Sequence, residues 1–226
     1  MTKDFLAWLF PISCLCCGAE DEWLCPACCG HISPLVNQPP VPAGLTRMIC
    51  ATTYERPISD AIQALKYGSA KALGSLLAKL MLQLLTVPTI NDQRSTSHAS
   101  PSILIPVPIH NRRLRERGFN QAELLARTIS DEMHWEIRTD LLTRTRYTPP
   151  QAKLDKKARQ TNLSDAFALT NADAIKGRHI IIIDDVLTTG ATLTACATAL
   201  QIGQPASITG LCLAYDQITE RKKPRP

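Results

Sequence analysis

Long uninterrupted hydrophobic runs are absent from this sequence, and so is a convincing secretory leader. The longest apolar-rich helix candidate, around Leu73 to Leu85, contains Lys79 and Gln83 and falls short of a membrane span. Near the N-terminus, Pro11 interrupts the short apolar stretch from Phe5 to Ile12, and no small-residue cleavage site follows it. Internal repeats are also missing. We therefore expect a cytoplasmic protein without a membrane span.

A large excess of charge of one sign is absent as well. The chain has 25 Lys and Arg against 20 Asp and Glu, and its net charge of +5 favours anionic partners without by itself indicating nucleic acid. A composition that is 45% hydrophobic and 20% charged excludes a disordered or fibrous protein. With 226 residues, the chain can form one ordinary domain and a small appendage.

Cysteine is abundant and clustered. Six of the nine cysteines lie between Cys14 and Cys29, and both the clustering and the odd total argue against a secreted disulfide scaffold. Cys14 and Cys17 form one CxxC pair, and Cys25 and Cys28 form a second, so that four thiolates could bind a tetrahedral structural Zn²⁺. Cys29 is the rival of Cys28 as the fourth ligand. A redox pair is the alternative for a single CxxC motif.

The cysteine cluster ends at a proline-rich break, Gln38 to Pro42, that is typical of a linker. We predict a zinc-binding module with its linker at residues 1–42, a main domain at 43–218 and a basic tail at 219–226. Trp23 in the module could stack on a nucleic-acid base or pack against the main domain.

The main domain alternates predicted strands and helices, which indicates an α/β fold with a mainly parallel sheet. Strands are predicted at Met48–Tyr54, Ile103–Val107, Ile180–Ile183 and Ser207–Ala214. Helical spacing covers Ser59–Leu85 with an interruption at 67–69, Ala122–Met133 with Asn120 as its N-cap, and about Thr192–Gln201. A basic turn is predicted at Arg112–Arg117, and a functional flap in the polar stretch from Leu141 to Leu169.

The run IIIIDDVLTTGAT, Ile180 to Thr192, carries the most specific chemistry. Ligands bind at the carboxyl ends of parallel strands, and Asp184 and Asp185 follow such a strand directly. Backbone N–H groups and hydroxyls at a helix start suit a phosphate, and Gly190 permits a close approach of the backbone. The adjacent carboxylates would repel that phosphate, so they fit ribose hydroxyls, directly or through Mg²⁺. The run predicts a site for a 5-phosphorylated ribose.

This run resembles the signature of type I phosphoribosyltransferases, in which the acidic pair holds the ribose hydroxyls and the Thr-rich loop holds the 5-phosphate. The resemblance extends to the ComF/GntX family, which joins an N-terminal zinc finger to a phosphoribosyltransferase-type domain. It rests in addition on Lys66-Tyr67 in QALKYG, Pro106 to Pro108 in IPVPIH, Arg117 to Gln121 (RGFNQ), Gln151, Arg159, Asn162 and Ala166-Phe167. The implied fold is a parallel sheet of the type I phosphoribosyltransferase kind, flanked by helices and preceded by a small four-cysteine zinc module.

The resemblance also implies roles for individual residues. The segment Val107 to Asn111 is the candidate diphosphate loop, and Arg112, Arg113, Arg115 and Arg117 follow it with positive charge. Gln151, Arg159 and Asn162 fall in the place of a mobile catalytic loop. The candidate catalytic residues are Asp184, Asp185 and Arg117. The candidate residues for binding phosphoribosyl diphosphate with Mg²⁺ are Asp184, Asp185, Thr188, Thr189, Gly190, Ala191, Thr192 and Lys66.

Two function classes stay open at this point. The first is a phosphoribosyltransferase that transfers the phosphoribosyl group to an acceptor that the sequence does not identify and releases diphosphate. The resemblance links it to DNA uptake, natural transformation or use of external DNA. The second is a non-catalytic protein that senses a nucleotide and handles single-stranded DNA. Phosphoribosyl diphosphate, single-stranded DNA and DNA-uptake proteins are the expected partners. A zinc-stabilised scaffold for another protein is a third, plainer possibility.

Overall fold

The computed structural model describes residues 12–67, 71–84, 102–145 and 166–217. Its main feature is a five-stranded sheet whose strands are all parallel, in the order β1-β7-β6-β2-β3. These strands are β1 (Arg47–Thr53), β2 (Ile103–Pro106), β3 (Glu136–Ile137), β6 (His179–Leu187) and β7 (Ser207–Tyr215). Two short antiparallel strands, β4 (Leu142–Arg144) and β5 (Phe167–Leu169), pair separately.

Six α-helices are assigned in the described residues. They are α1 (Pro26–Gly30), α2 (Ile58–Tyr67), α3 (Ala72–Leu84), α4 (Asn111–Arg117), α5 (Gln121–Met133) and α6 (Ala191–Gln201). The buried side chains of α2, α3 and α5 cover one face of the sheet, and those of α6, β4 and β5 cover the other. The fold is thus a parallel sheet between two outer layers, the arrangement expected for strands that are apolar on both sides.

Strand β6 lies in the centre of this arrangement because both of its faces are hydrophobic. Ile181 and Ile183 belong to the core beneath α2, α3 and α5, whereas Ile180 and Ile182 belong to the core beneath α6. All four side chains are almost fully buried. The sequence prediction of a strand buried on both faces is confirmed here.

The other strand and helix predictions agree with the structure to within a few residues. Helix α5 begins after Asn120, whose side-chain Oδ1 accepts a hydrogen bond from the Ala122 N–H at 3.1 Å, as its predicted N-cap role requires. The helical region predicted from Ser59 to Leu85 forms two helices, and residues 68–70 between them lie outside the described residues.

Three expectations need correction. The predicted basic turn from Arg112 to Arg117 is helix α4, which His110 caps by accepting the Arg112 N–H at 3.1 Å. The ends of the predicted flap are not irregular but form the strand pair β4–β5, although residues 146–165 lie outside the described part of the chain. Strand β6 does not end at Ile183 but continues to Leu187, because β7 pairs with it that far.

The cysteine-rich segment packs against the main sheet domain. Leu24 is buried in the core beneath α2 and α3, and Trp23 and Cys29 pack against the same cluster while partly buried. Trp23 therefore packs against the main domain, one of the two roles predicted for it. The predicted domain limits at residues 42 and 218 stay predictions, and the tail at 219–226 is outside the described residues. Within residues 12–67, 71–84, 102–145 and 166–217, no helix is long and apolar enough to cross a membrane.

Candidate functional site

The acidic pair lies where two neighbouring strands of the sheet part. Strand β2 pairs with β6 only as far as Pro106 opposite Ile183, and the last bond on this side runs from the Val107 N–H to the Ile183 carbonyl at 2.9 Å. On its other side, β6 stays paired with β7 up to Leu187. Asp184 and Asp185 therefore border a crevice at the carboxyl end of the sheet, the usual ligand position in open α/β folds.

A cavity of about 500 Å³ opens at this crevice. It contains four cationic residues, three acidic residues and an apolar part formed mainly by the chain after β2. Its lining is Lys66, Tyr67, Val107, Pro108, Ile109, Arg113, Glu116, Arg117, Phe119, Asn120, Gln121, Arg144, Asp184, Asp185 and Thr192. The mixture of convergent charged groups with an apolar wall is typical of a small-molecule site.

Lys66 reaches the acidic pair from the last turn of α2. Its Nζ lies 3.0 Å from Oδ2 of Asp185, and the two side chains are 19% and 6% exposed. The contact is an ion pair, since the direction of approach does not meet the geometry of a hydrogen bond at Oδ2. The two candidate binding residues are thus brought together, 119 positions apart in the sequence.

Asp184 has an unusual ionisation. Burial, followed by the neighbouring charge of Asp185, raises the pKa of Asp184 to about 7, against the opposing effect of the Asp185 N–H, Lys66 and Arg144. The Asp185 backbone N–H donates to Oδ1 of Asp184 at 2.9 Å and fixes the carboxylate. A carboxyl group that ionises near neutral pH beside a cavity is a frequent mark of a functional site.

Helix α4 divides its arginines between the cavity and solvent. Arg113 and Arg117, one turn apart, line the cavity, whereas Arg112 and Arg115 are exposed. Arg117 donates a hydrogen bond to Oε1 of Gln121. Its guanidinium carbon also lies 5.6 Å from the centroid of the Tyr67 ring. Of the predicted basic run, two members belong to the cavity and two do not.

Asn120 holds the chain that follows β2. Its Nδ2 donates to the Val107 carbonyl at 3.0 Å, while its Oδ1 caps α5. One amide side chain therefore fixes the entrance of the predicted diphosphate loop against the start of α5. Asn120 was identified from the sequence as a helix cap and as part of RGFNQ, but not as a residue that positions this loop.

Arg144 is a cavity residue that the sequence prediction missed. It is the last residue of β4, is partly buried, and lies over the Phe167 ring at 5.3 Å. Burial, followed by the positive charge of Arg113, lowers its pKa, and the nearby Asp184 opposes this effect. The alternation Leu142, Thr143, Arg144 was the available signal, but its partner strand lies more than twenty residues further along the chain.

The Thr-rich turn between β6 and α6 has the backbone expected of a close-approach loop. Gly190 has φ 76°, and a Cβ at this position would lie 2.8 Å from Cγ of Pro42. Thr188 and Thr189 are exposed, and the Ala191 N–H faces Oγ1 of Thr189 at 3.4 Å. Of the predicted binding residues in this turn, Thr192 lines the cavity, and residues 188–191 are not among its lining residues. Gln151, Arg159 and Asn162 lie outside the described residues.

The four predicted metal ligands form one cluster. The Sγ atoms of Cys14, Cys17, Cys25 and Cys28 all lie within 4.8 Å of one another, so the cluster could hold a metal ion. Cys29 does not belong to it, since its Sγ faces the Leu24 carbonyl at 3.8 Å. Backbone N–H groups, first that of Cys25, lower the pKa of Cys14 to about 6, whereas the hydrogen bond with Cys25 and the other neighbouring thiols raise the pKa of Cys28.

Known proteins similar to this chain agree with the fold. A family model described as the phosphoribosyl transferase domain matches residues 116–225. DNA utilization protein YhgH of Shigella flexneri is 33% identical over 203 residues, covering 85% of this chain and 84% of that protein. Competence protein F of Haemophilus influenzae is 28% identical over 187 residues, which cover 82% of this chain and 76% of that protein. Competence protein ComFC of Bacillus subtilis is 37% identical over 113 residues, which cover 49% of this chain and 43% of that protein.

Proposed function

Because this chain belongs to the ComF family of phosphoribosyltransferase-domain proteins, we propose that its cavity binds phosphoribosyl diphosphate and transfers the phosphoribosyl group. The observation that carries the proposal is the position of Asp184 and Asp185 in a cavity that also contains Lys66, Arg113, Arg117 and Arg144. Carboxylates accept hydrogen bonds from ribose hydroxyls, and the surrounding cations match a ligand that is anionic at both ends.

The 5-phosphate of the ligand is assigned to the turn from Thr188 to Thr192. At the start of α6 the backbone N–H groups lack helical carbonyl partners, and the threonine hydroxyls add further donors. The exposure of Thr188 and Thr189 leaves their hydroxyls accessible to a phosphate. Gly190 keeps the turn compact because no side chain stands between it and Pro42.

The diphosphate is assigned to the opposite part of the cavity, at residues 107–111 and at Arg113 and Arg117. During transfer the bond from C1 of the ribose to the diphosphate oxygen breaks, and its electron pair leaves with the diphosphate. The acceptor then supplies the electron pair of the new bond at C1. The guanidinium groups stabilise the charge that develops on the leaving group, and Arg117 is held for this role by Gln121.

Mg²⁺ is the cofactor expected with this ligand, since it neutralises diphosphate charge and prefers oxygen ligands. Asp184 lies beside the cavity and offers carboxylate oxygens of the required kind. The Nζ of Lys66 lies 3.0 Å from Oδ2 of Asp185 and places a positive charge beside this largely buried side chain.

Zn²⁺ is the metal that best fits the cysteine cluster. Four thiolates at a Zn–S distance of about 2.3 Å place neighbouring sulfurs about 3.8 Å apart in a tetrahedron. Cys17 Sγ and Cys25 Sγ lie 3.6 Å apart, and every pair in the cluster is within 4.8 Å. With four thiolates and no open position, the role of the ion would be structural.

Turnover is tested by a diphosphate-release screen. The purified protein is incubated with phosphoribosyl diphosphate, Mg²⁺ and a panel of nucleobases, amines and oligonucleotides, next to an Asp184→Asn/Asp185→Asn variant. We expect release with at least one acceptor in the wild type and none in the variant. Binding of the ligand without release for any acceptor would contradict catalysis.

A second candidate is a non-catalytic role in handling single-stranded DNA. It is favoured by the exposed Arg112 and Arg115 of α4, and by relatives named for DNA utilization and competence. This function predicts oligonucleotide binding that weakens with salt as phosphate contacts are lost. Since Arg113 lines the cavity, only the outward arginines give a clean test.

Charge reversal at Arg115 separates the two candidates. Arg115→Glu should weaken binding of a single-stranded oligonucleotide and reduce its salt dependence, but leave phosphoribosyl-diphosphate affinity unchanged. Lys176→Glu makes the same change of charge on an exposed residue away from α4 and is the control. Equal effects of both variants on oligonucleotide binding would count against a DNA-binding role for α4.

A further inference from the structure

The segment that joins the cysteine-rich module to β1 contacts the turn between β6 and α6. Gly190 in that turn has φ 76°, and a Cβ on it would lie 2.8 Å from Cγ and 3.1 Å from Cβ of Pro42. Gly190 is buried, although Thr188 and Thr189 just before it are exposed. The proline-rich break that the sequence predicts as a linker, Gln38 to Pro42, therefore ends against the turn to which the 5-phosphate is assigned.

The part of this segment before Pro42 is fixed along the outer edge of β1. The Gln38 side chain pairs with both backbone groups of Cys50, since its Oε1 accepts the N–H at 2.7 Å and its Nε2 donates to the carbonyl at 3.1 Å. Further back, the Leu35 N–H donates to the Ala51 carbonyl at 2.8 Å. These bonds satisfy backbone groups at the edge of the sheet and restrain the chain that leads to Pro42.

The part after Pro42 is fixed to α6 and β7. Nε2 of Gln201 donates to the Gly44 carbonyl at 3.2 Å. Thr46 exchanges two hydrogen bonds with Ile208, because its N–H donates to the Ile208 carbonyl at 2.7 Å and its Oγ1 accepts the Ile208 N–H at 2.9 Å. Pro42 is thus held from both sides, and its ring has a fixed place beside the turn.

A proline is well suited to support a phosphate-binding turn. Its ring locks φ and has little conformational freedom to lose. A phosphate bound by backbone N–H groups needs those groups to converge before the ligand arrives, because ordering the turn on binding would be subtracted from the affinity. The ring of Pro42 occupies the place where any other residue at position 190 would carry its side chain, so the turn cannot shift in that direction without a clash.

We propose that Pro42 is a positioning residue for the 5-phosphate turn, and that residues 33–46 are a structural part of the phosphate subsite. The inference rests on the proposed function, which assigns the 5-phosphate to residues 188–192. Pro42 is not among the residues that line the cavity, so it acts through Gly190 rather than by contact with the ligand.

The test compares two ligands that are assigned to opposite parts of the cavity. Dissociation constants for ribose 5-phosphate and for inorganic diphosphate are determined by calorimetry in Mg²⁺. Pro42→Ala should weaken binding of ribose 5-phosphate by about 5- to 30-fold, the cost of ordering about one residue of backbone on binding. Its diphosphate affinity should equal that of the wild type, because diphosphate is assigned to residues 107–111, Arg113 and Arg117.

Pro40→Ala is the matched control, since Pro40 is an exposed proline of the same segment. It removes the same restriction of the chain and should keep the wild-type affinity for both ligands. A combination of Pro42→Ala with Gly190→Ala tests whether Pro42 acts through the glycine. With the ring gone, the added methyl group loses its closest clash, so Gly190→Ala should weaken ribose 5-phosphate binding by a smaller factor than it does in the wild type.

The proposal is overturned if Pro42→Ala binds ribose 5-phosphate as tightly as the wild type, or if it weakens diphosphate binding as much. It is also overturned if Gly190→Ala has the same effect with and without the Pro42 ring. In each of these cases, ribose 5-phosphate binding that depends on Asp184 and Asp185 leaves the proposed function standing. If ribose 5-phosphate does not bind the wild type at all, the proposed function fails, and the positioning role of Pro42 fails with it.

Discussion

The ammonium group of Lys66 lies 3.0 Å from the carboxylate of Asp185, and this contact ties the end of α2 to the acidic edge of β6. Both side chains are largely buried, so each charge depends on the other for compensation. Removal of one member of such a pair costs much more than replacement of both, because a single buried charge is left without a partner. The pair therefore has a measurable effect on stability that is separate from any ligand.

A double-mutant cycle tests this dependence. Lys66→Met should lower the free energy of unfolding by about 3–5 kcal/mol, whereas Lys66→Met/Asp185→Asn should recover most of that loss. Urea unfolding followed by circular dichroism gives all four values. If the double variant is as unstable as the single one, Asp185 is not the partner that makes Lys66 important.

The raised pKa of Asp184 predicts that its carboxyl group lowers the stability of the folded protein at high pH. Since its pKa is raised from 3.8 to about 7, the folded protein holds more protons than the unfolded chain between these values, and the contribution of Asp184 to stability falls as pH rises. In metal-free buffer, Asp184→Asn should therefore stabilise the protein at pH 8 by about 1–3 kcal/mol, and less at pH 5.

Asp140→Asn provides a control of opposite sign. The Arg138 guanidinium holds the pKa of Asp140 at about 2, so its charge favours the folded state above that pH. Asp140→Asn should lower the thermal midpoint slightly at pH 8, because this side chain is 64% exposed and the interaction is screened by water. A destabilising Asp184→Asn at pH 8 would contradict the assigned direction of its pKa shift.

Substitution of Gly190 should be costly because of its positive φ and its close contact with Pro42, and Gly177, which has a positive φ without such a contact, serves as the control. Gly190→Ala combines an unfavourable positive φ with a contact to Pro42 at 2.8 Å, whereas Gly177→Ala has φ 66° and meets nothing within 4 Å. A side chain at a positive φ costs about 1–2 kcal/mol in either variant. Gly190→Ala should therefore lower the free energy of unfolding by more than Gly177→Ala, because the contact with Pro42 adds to this cost. It should also weaken ribose 5-phosphate binding, and Gly177→Ala should not. Equal affinity for ribose 5-phosphate in the two variants would remove this turn from the phosphate site.

The choice between Cys28 and Cys29 is open to direct measurement. Cys28→Ser should abolish stoichiometric zinc in the purified protein, as determined by mass spectrometry of the metal. Cys29→Ser should keep the zinc, because its Sγ faces a backbone carbonyl rather than the other thiols. The reverse pattern would transfer the fourth ligand to Cys29.

Local sequence patterns predicted most of the sheet, because its strands are continuous apolar runs and its helices have clear spacing. The run from Ile180 to Thr192 also indicated the acidic pair and the phosphate turn. Contacts between residues that are far apart in the sequence could not be predicted from such local patterns. The contact of Lys66 with Asp185, the pairing of β4 with β5 that places Arg144, and the contact of Arg117 with Tyr67 all depend on the folded chain. The inward and outward arginines of α4 were missed because a basic run does not show which side of a short helix faces a cavity.

Calorimetric titration with phosphoribosyl diphosphate in Mg²⁺, for the wild type and Asp184→Asn/Asp185→Asn, tests the central assignment most directly. Circular dichroism first establishes that both proteins are folded. The wild type should bind one equivalent, and the variant should lose affinity by about 100-fold or more, because two charged hydrogen-bond acceptors for the ribose are removed. Equal affinity in the two proteins would show that the cavity at the end of β6 is not where the ribose binds.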